Sequence, residues 1–143
     1  MKQPDEVKLE FVREWLQKAE MDFRTAMYLF DSGEDFLIGT VFHAQQAAEK
    51  YLKTFLVWRQ IEFQKTHDLA MLLNLVAQVE IELAETLNEA VELTPYGVEY
   101  RYPGDYPEVT RRDAQRAINL IQLVREKIRD RLPAQVLGTP GNH

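Results

Sequence analysis

Cysteine is absent from this chain, which excludes a disulfide framework, a thiolate nucleophile and any zinc site built on sulfur. Histidine occurs only three times, and no Glu-x-x-His pair is present, so the ligand sets of diiron helical bundles have no counterpart. Neither a glycine-rich phosphate loop nor a Gly-x-Ser-x-Gly elbow is found. No metal site and no cofactor is therefore expected. A membrane span needs a run of about 18 apolar residues, and none exists. Met1-Lys2-Gln3-Pro4 leads into charged residues instead of the apolar core of a signal peptide. These absences predict a cytoplasmic chain with no membrane partner.

What the chain does have is apolar content for one core. Hydrophobic residues make up 45% of the 143 positions, enough for a single domain. The net charge of −6 opposes nonspecific attraction to nucleic acid, because Lys and Arg contacts to phosphate supply most of that binding. The charge is uneven, however. Residues 1–98 carry 9 Lys and Arg against 17 Asp and Glu, whereas residues 99–143 carry 8 against 6. An anionic partner should approach the C-terminal third and whatever packs beside it.

Apolar periodicity predicts an all-α, up-and-down bundle of four main helices plus a short additional one, spanning residues 1–132, with residues 133–143 as a flexible tail. The first helix is expected over about Asp5–Asp31, with Pro4 at its start and Gly33 beyond its end. The second, about Asp35–Arg59, has a broad apolar face, and Phe42, Leu56 and Val57 fall outside it. Burial on more than one side would explain that breadth, so a homodimer through this helix is expected. Thr66 is the expected N-cap of a short third helix. A fourth runs from about Glu80 to Leu93, stopped by Thr94-Pro95, and a last one from about Glu108 to Leu132.

On the second helix His43, Gln46, Lys50 and Lys53 recur at spacings of 3, 4 and 3, within about one quadrant of its surface, with Glu49 at the border. Two ammonium groups, an imidazole and an amide suit a phosphate or nucleotide. The plainer alternative is a solvated face with a Glu49–Lys53 pair. Gln45 lies at the edge of the apolar side, where a buried amide would need a loop backbone as partner. His67 and Asp68 open the third helix, whose free N–H groups could hold an anion next to Lys65. Histidine is a residue type suited to general base work near neutral pH, although His67 could equally hold the turn together. The segment Tyr96–Tyr106 holds four of the six tyrosines around Arg101, suited either to stacking a base or to packing the loop. Arg111, Arg112 and Arg116 could widen a basic patch.

Taken in order, Trp15-x3-Ala19-x3-Phe23-x6-Phe30, the block from His43 to Lys53, Lys65-Thr66-His67-Asp68-Leu69 and Arg101-Tyr102-Pro103 resemble the HEPN family, over about Trp15 to Val124. The resemblance implies a small helical bundle that binds a nucleotide or RNA as a homodimer. It also implies a small nucleotidyltransferase partner in a toxin–antitoxin-like module. Gln46, Lys50, Lys53, Lys65, His67, Arg101 and Tyr102 would then bind the ligand. Many family members are metal-independent ribonucleases with an arginine four to six residues before a histidine. Here the nearest pair is Arg59 with His67, separated by seven residues, which departs from that motif. A ribonuclease toxin using His67 with Arg59 or Arg101 is the alternative, and a non-catalytic interaction bundle is the third reading.

Overall fold

The computed structural model describes residues 3–98 and 108–138. Among these residues every regular element is helical: α1 (Pro4–Ser32), a 3₁₀ turn (Glu34–Phe36), α2 (Leu37–Trp58), α3 (Leu69–Ala77), α4 (Ile81–Thr86), a second 3₁₀ segment (Asn88–Gly97), α5 (Arg111–Arg129) and α6 (Ala134–Leu137). The all-α bundle expected from periodicity is the architecture found.

The central element is α2, which packs against α1, α5, α3 and the second 3₁₀ segment. Ala44, Ala47 and Ala48 are fully buried and let those neighbours approach closely. Leu56 is also fully buried, and Phe42 and Val57 are half-buried. The breadth of this apolar face is thus used mostly inside the chain, which removes the reason for placing a subunit interface on α2.

Three boundaries differ from the sequence expectation. Asp68, not Thr66, caps α3: its side chain accepts from Ala70 N, while Thr66 Oγ1 accepts from Asp68 N one step earlier. The fourth helix does not run unbroken to Leu93. It leaves α geometry at Leu87 and continues as a 3₁₀ segment through Pro95 to Gly97. Leu87, Ala90 and Leu93 are buried at intervals of three, the spacing that a three-residue turn brings onto one side. The last helix starts at Arg111 behind a capping box in which Thr110 and Asp113 satisfy each other's backbone N–H groups. Residues 134–137, for which the sequence offered no apolar pattern, form a short helix that buries Val136.

The end of α2 sets the course of the chain into the site. Gln60 has φ 59°, and Gln60 N and Ile61 N donate to Val57 O and Leu56 O, a Schellman ending with glutamine at the left-handed position. The connection then runs back beside α2, so that Phe63 reaches Lys53 and His67 reaches Gln45 and Glu49.

Candidate functional site

The reversal places two carboxylates, one from α1 and one from α2, under a row of basic side chains. Glu49 is the inner one. Its Oε1 receives His67 Nδ1 at 2.7 Å and its Oε2 receives Lys53 Nζ at 2.9 Å. The Glu49 and Lys53 side chains are only 5% and 6% exposed, whereas that of His67 is 63% exposed. A carboxylate so deprived of water is tolerable only because a matched cation and further donors surround it. Lys53 lies 5.7 Å from the ring centres of both Trp15 and Phe63, which are themselves packed edge to face. The negative faces of those rings add to the stabilisation of its ammonium.

Gln45 fixes this arrangement from below. It is fully buried, and its Nε2 donates to His67 O at 3.2 Å and, more weakly, to Glu49 Oε1 at 3.4 Å. Gln46 Nε2 donates to Gln45 Oε1 at 2.7 Å. The role of joining the helix to a loop backbone, expected for a buried amide at this position, is the one seen. Gly97 completes the packing, since a Cβ there would lie 2.6 Å from Gln45 Cδ.

Asp22 is the outer carboxylate. It is buried on α1 and holds His43 Nδ1 at 2.9 Å and Lys50 Nζ. Asp22 is not among the candidates that the sequence motifs point to. Its signal is its place three residues after Ala19 and four before Ala26, on the core side of α1 where a charged group has to be paired.

Above these groups lies an open hollow of about 690 Å³, lined by Trp15, Lys18, Gln46, Glu49, Lys50, Lys53, Phe63, Lys65 and His67. Gln46, Lys50, Lys53, Lys65 and His67, all singled out in the sequence, come together here. His43 does not line it, being turned to Asp22. Lys18, which belongs to none of the sequence motifs, does. Four lysines meet one lining carboxylate, so the hollow is cationic in a chain of net charge −6.

Other sequence expectations are corrected. Arg59 is not brought to His67; it faces Glu80 at 3.8 Å and rests over Phe55. The N–H groups at the start of α3 do not form an open anion site, because the Asp68 side chain occupies Ala70 N and Thr94 Oγ1 accepts from Leu69 N. Arg116 does not extend a basic patch. It bridges Glu89 and Glu92 at 2.7 Å, and its guanidinium holds the Glu92 carboxyl below the usual glutamate range. Arg111 stacks on Phe30 at 4.2 Å. Arg101 and Tyr102 lie outside the described residues.

The arrangement can receive an anion among the lysines, lay a flat group against Trp15 or Phe63, and present an imidazole whose Nδ1 is fixed and whose Nε2 is open. Among solved structures, the chain is similar to TT1696 from Thermus thermophilus, with a TM-score of 0.67 and 29% identity over 85% of this chain and 98% of that one. No curated protein matches. The HEPN domain matches residues 12–131, a span that takes in α1 from Val12 onward, the whole of α2 and its return loop, and α5. With Gln45, Glu49, Lys53 and His67 all inside that match, the chain belongs to the HEPN domain family, whose members are nucleotide- or RNA-binding and ribonuclease-type proteins.

Proposed function

We propose that this chain binds RNA or a nucleotide in the lysine hollow. The observation that carries the reading is the convergence of Lys18, Lys50, Lys53 and Lys65 with Trp15, Phe63 and the exposed His67 around one cavity. Lys65 and Lys18 contact phosphate as mobile point charges, Lys50 does so from its place on Asp22, and Gln46 offers its amide to a base or ribose. Lys53 acts from beneath, holding Glu49 and so His67. Arg101 and Tyr102 join the ligand in this reading through the family's Arg-Tyr-Pro block. Affinity is moderate and falls with salt, because much of it is electrostatic. The test is titration with an oligoribonucleotide and with mononucleotides. Lys50→Ala combined with Lys65→Ala lowers affinity, and unchanged binding removes the assignment.

The chain is further proposed to work as a homodimer beside a small nucleotidyltransferase in a toxin–antitoxin-like module. The partner rests on the family resemblance. The homodimer also has support from exposed apolar residues on the outer side of α1, where Val7, Phe11, Met21 and Tyr28 follow one another along one stripe. Sedimentation at high micromolar concentration tests it, with a monomer contradicting it.

The Glu49–His67 contact favours a second reading, a metal-independent endoribonuclease. A buried carboxylate that fixes Nδ1 leaves Nε2 to take the proton of a ribose 2′-hydroxyl, which attacks the adjacent phosphorus to form a 2′,3′-cyclic phosphate while the 5′-oxygen leaves as a hydroxyl protonated by water. Lys50 or Lys65 then takes the charge-neutralising place that arginine holds in the family motif, since Arg59 is engaged elsewhere. RNA cleavage in excess chelator, abolished by His67→Ala, is the expected result; intact RNA with the wild-type chain leaves the binding reading alone.

A further inference from the structure

A second cationic hollow, of about 540 Å³, lies on the other flank of α1, between that helix, α5 and α6. Arg13, Arg24, Arg125 and Arg129 line it, and the only carboxylate among its lining residues is Glu20. Glu20 receives Arg125 Nε at 3.0 Å and Arg129 Nη1 at 2.7 Å. Arg13 and Arg129 also reach the carbonyls of Gln135 and Leu137, so part of this cluster fastens α6 to the bundle. That duty does not use Arg24, which is exposed and makes no hydrogen bond or ion pair with a described residue. It also leaves more than half of the guanidinium N–H groups open, since each arginine carries five.

A second observation comes from the floor of the cluster. Tyr51 is fully buried, and its hydroxyl makes no hydrogen bond of good geometry although Glu20 and Arg125 lie beside it. Burial, and then the Glu20 carboxylate, push its phenol well above the usual tyrosine range. An unsatisfied buried hydroxyl carries a desolvation cost. The Glu20 carboxylate beside it is drawn instead toward the guanidinium groups of Arg125 and Arg129.

We propose that this hollow is a phosphate-binding site. An arriving phosphate takes guanidinium N–H groups from Arg24, Arg129 and Arg125 in the forked geometry that suits its oxygens. Glu20, drawn less tightly to the arginines, turns to accept the Tyr51 hydroxyl, so that binding satisfies the group left open in the free protein. The site does not depend on the lysine hollow being occupied. The two are nonetheless neighbours: Gln17 and Met21 line the arginine hollow and a shallow groove shared with Lys18, which lines the lysine hollow. Two sources carry the same phosphate chemistry, a free polyphosphate compound and an RNA backbone.

The test titrates the full chain with inorganic pyrophosphate and with a short oligouridylate. Arg24→Glu is the main variant, because it reverses a charge without breaking an intrachain bond and so leaves Tm unchanged. Affinity for phosphate falls roughly tenfold, and the slope of log affinity against log salt becomes shallower by about one. A loss for pyrophosphate alone assigns the site to free phosphate compounds, and a loss for both ligands assigns it to a backbone. Tyr51→Phe raises Tm by deleting the unsatisfied hydroxyl, and it weakens pyrophosphate binding severalfold. Affinity for both ligands unchanged by Arg24→Glu overturns the proposal and reduces the cluster to a clasp for α6. A chain that loses oligouridylate affinity with Lys50→Ala but loses affinity for neither ligand with Arg24→Glu upholds the lysine hollow and overturns the arginine site.

Discussion

Glu49 and His67 stand 18 residues apart in sequence, and a 2.7 Å contact between Oε1 and Nδ1 joins them across the gap between α2 and its return loop. The same carboxylate neutralises Lys53, so one buried charge organises both the imidazole and the cation beneath the hollow.

Glu49→Gln keeps the shape of the side chain and removes its charge, leaving the buried Lys53 ammonium uncompensated. A loss of about 3 kcal/mol in urea denaturation is expected, in line with the removal of one partner from a buried pair. Glu49→Leu with Lys53→Met recovers most of that loss, because apolar replacement of the whole pair leaves no charge unmatched. His67→Ala costs less than about 1 kcal/mol, since its side chain is mostly in water.

Gly97→Ala places a Cβ against Gln45, whose amide is held by three hydrogen bonds and so cannot swing aside freely. The expected cost is about 1–3 kcal/mol, as for overpacking elsewhere. A double-mutant cycle with Gln45→Ala measures it. The alanine at 97 should cost much less once the amide is gone.

Gln60→Gly should stabilise the fold by about 1 kcal/mol, because glycine adopts the left-handed conformation at φ 59° without a Cβ clash. Thermal unfolding reads the change. The 3.5 Å contact from Lys8 Nζ to the Gln60 side chain is exposed and too weak to reverse the sign.

Arg116 lowers the Glu92 carboxyl in the folded state, so this pair's contribution is complete above the ordinary glutamate range and disappears as pH falls through the lowered value. Both groups are at the surface, and the effect is small and screened by salt. Comparing the acid side of the Tm–pH curve for wild type and Arg116→Ala tests the sign. The two curves should converge as the carboxyl protonates, and divergence toward acid contradicts the assignment.

The long helices were legible because their apolar residues recur at helical spacing over many turns, as with Val12, Leu16, Ala19, Ala26 and Phe30 on α1. Lys50, Lys53, Lys65, Gln46 and His67 were legible as candidates from α2 spacing and from the family blocks, whereas Lys18, on α1, was not. What the sequence concealed was pairing. The quadrant from His43 to Lys53 divides between Asp22 and Glu49, a choice fixed by which neighbour packs on each edge of α2. The course of residues 61–68 depends on a left-handed glutamine that composition does not announce. The 3₁₀ segment was hidden because Leu87, Ala90 and Leu93 also satisfy an α-helical pattern until Pro95 is considered.

The central claim, that ligand enters the lysine hollow, is tested most directly by Trp15 fluorescence. Trp15 lines the hollow and Trp58 does not, so Trp58→Phe leaves a single reporter at the site. Titration of that variant with an oligoribonucleotide should change Trp15 emission saturably, and Lys50→Ala with Lys65→Ala should weaken the response. Ligand binding by calorimetry with Trp15 emission unmoved would contradict the account.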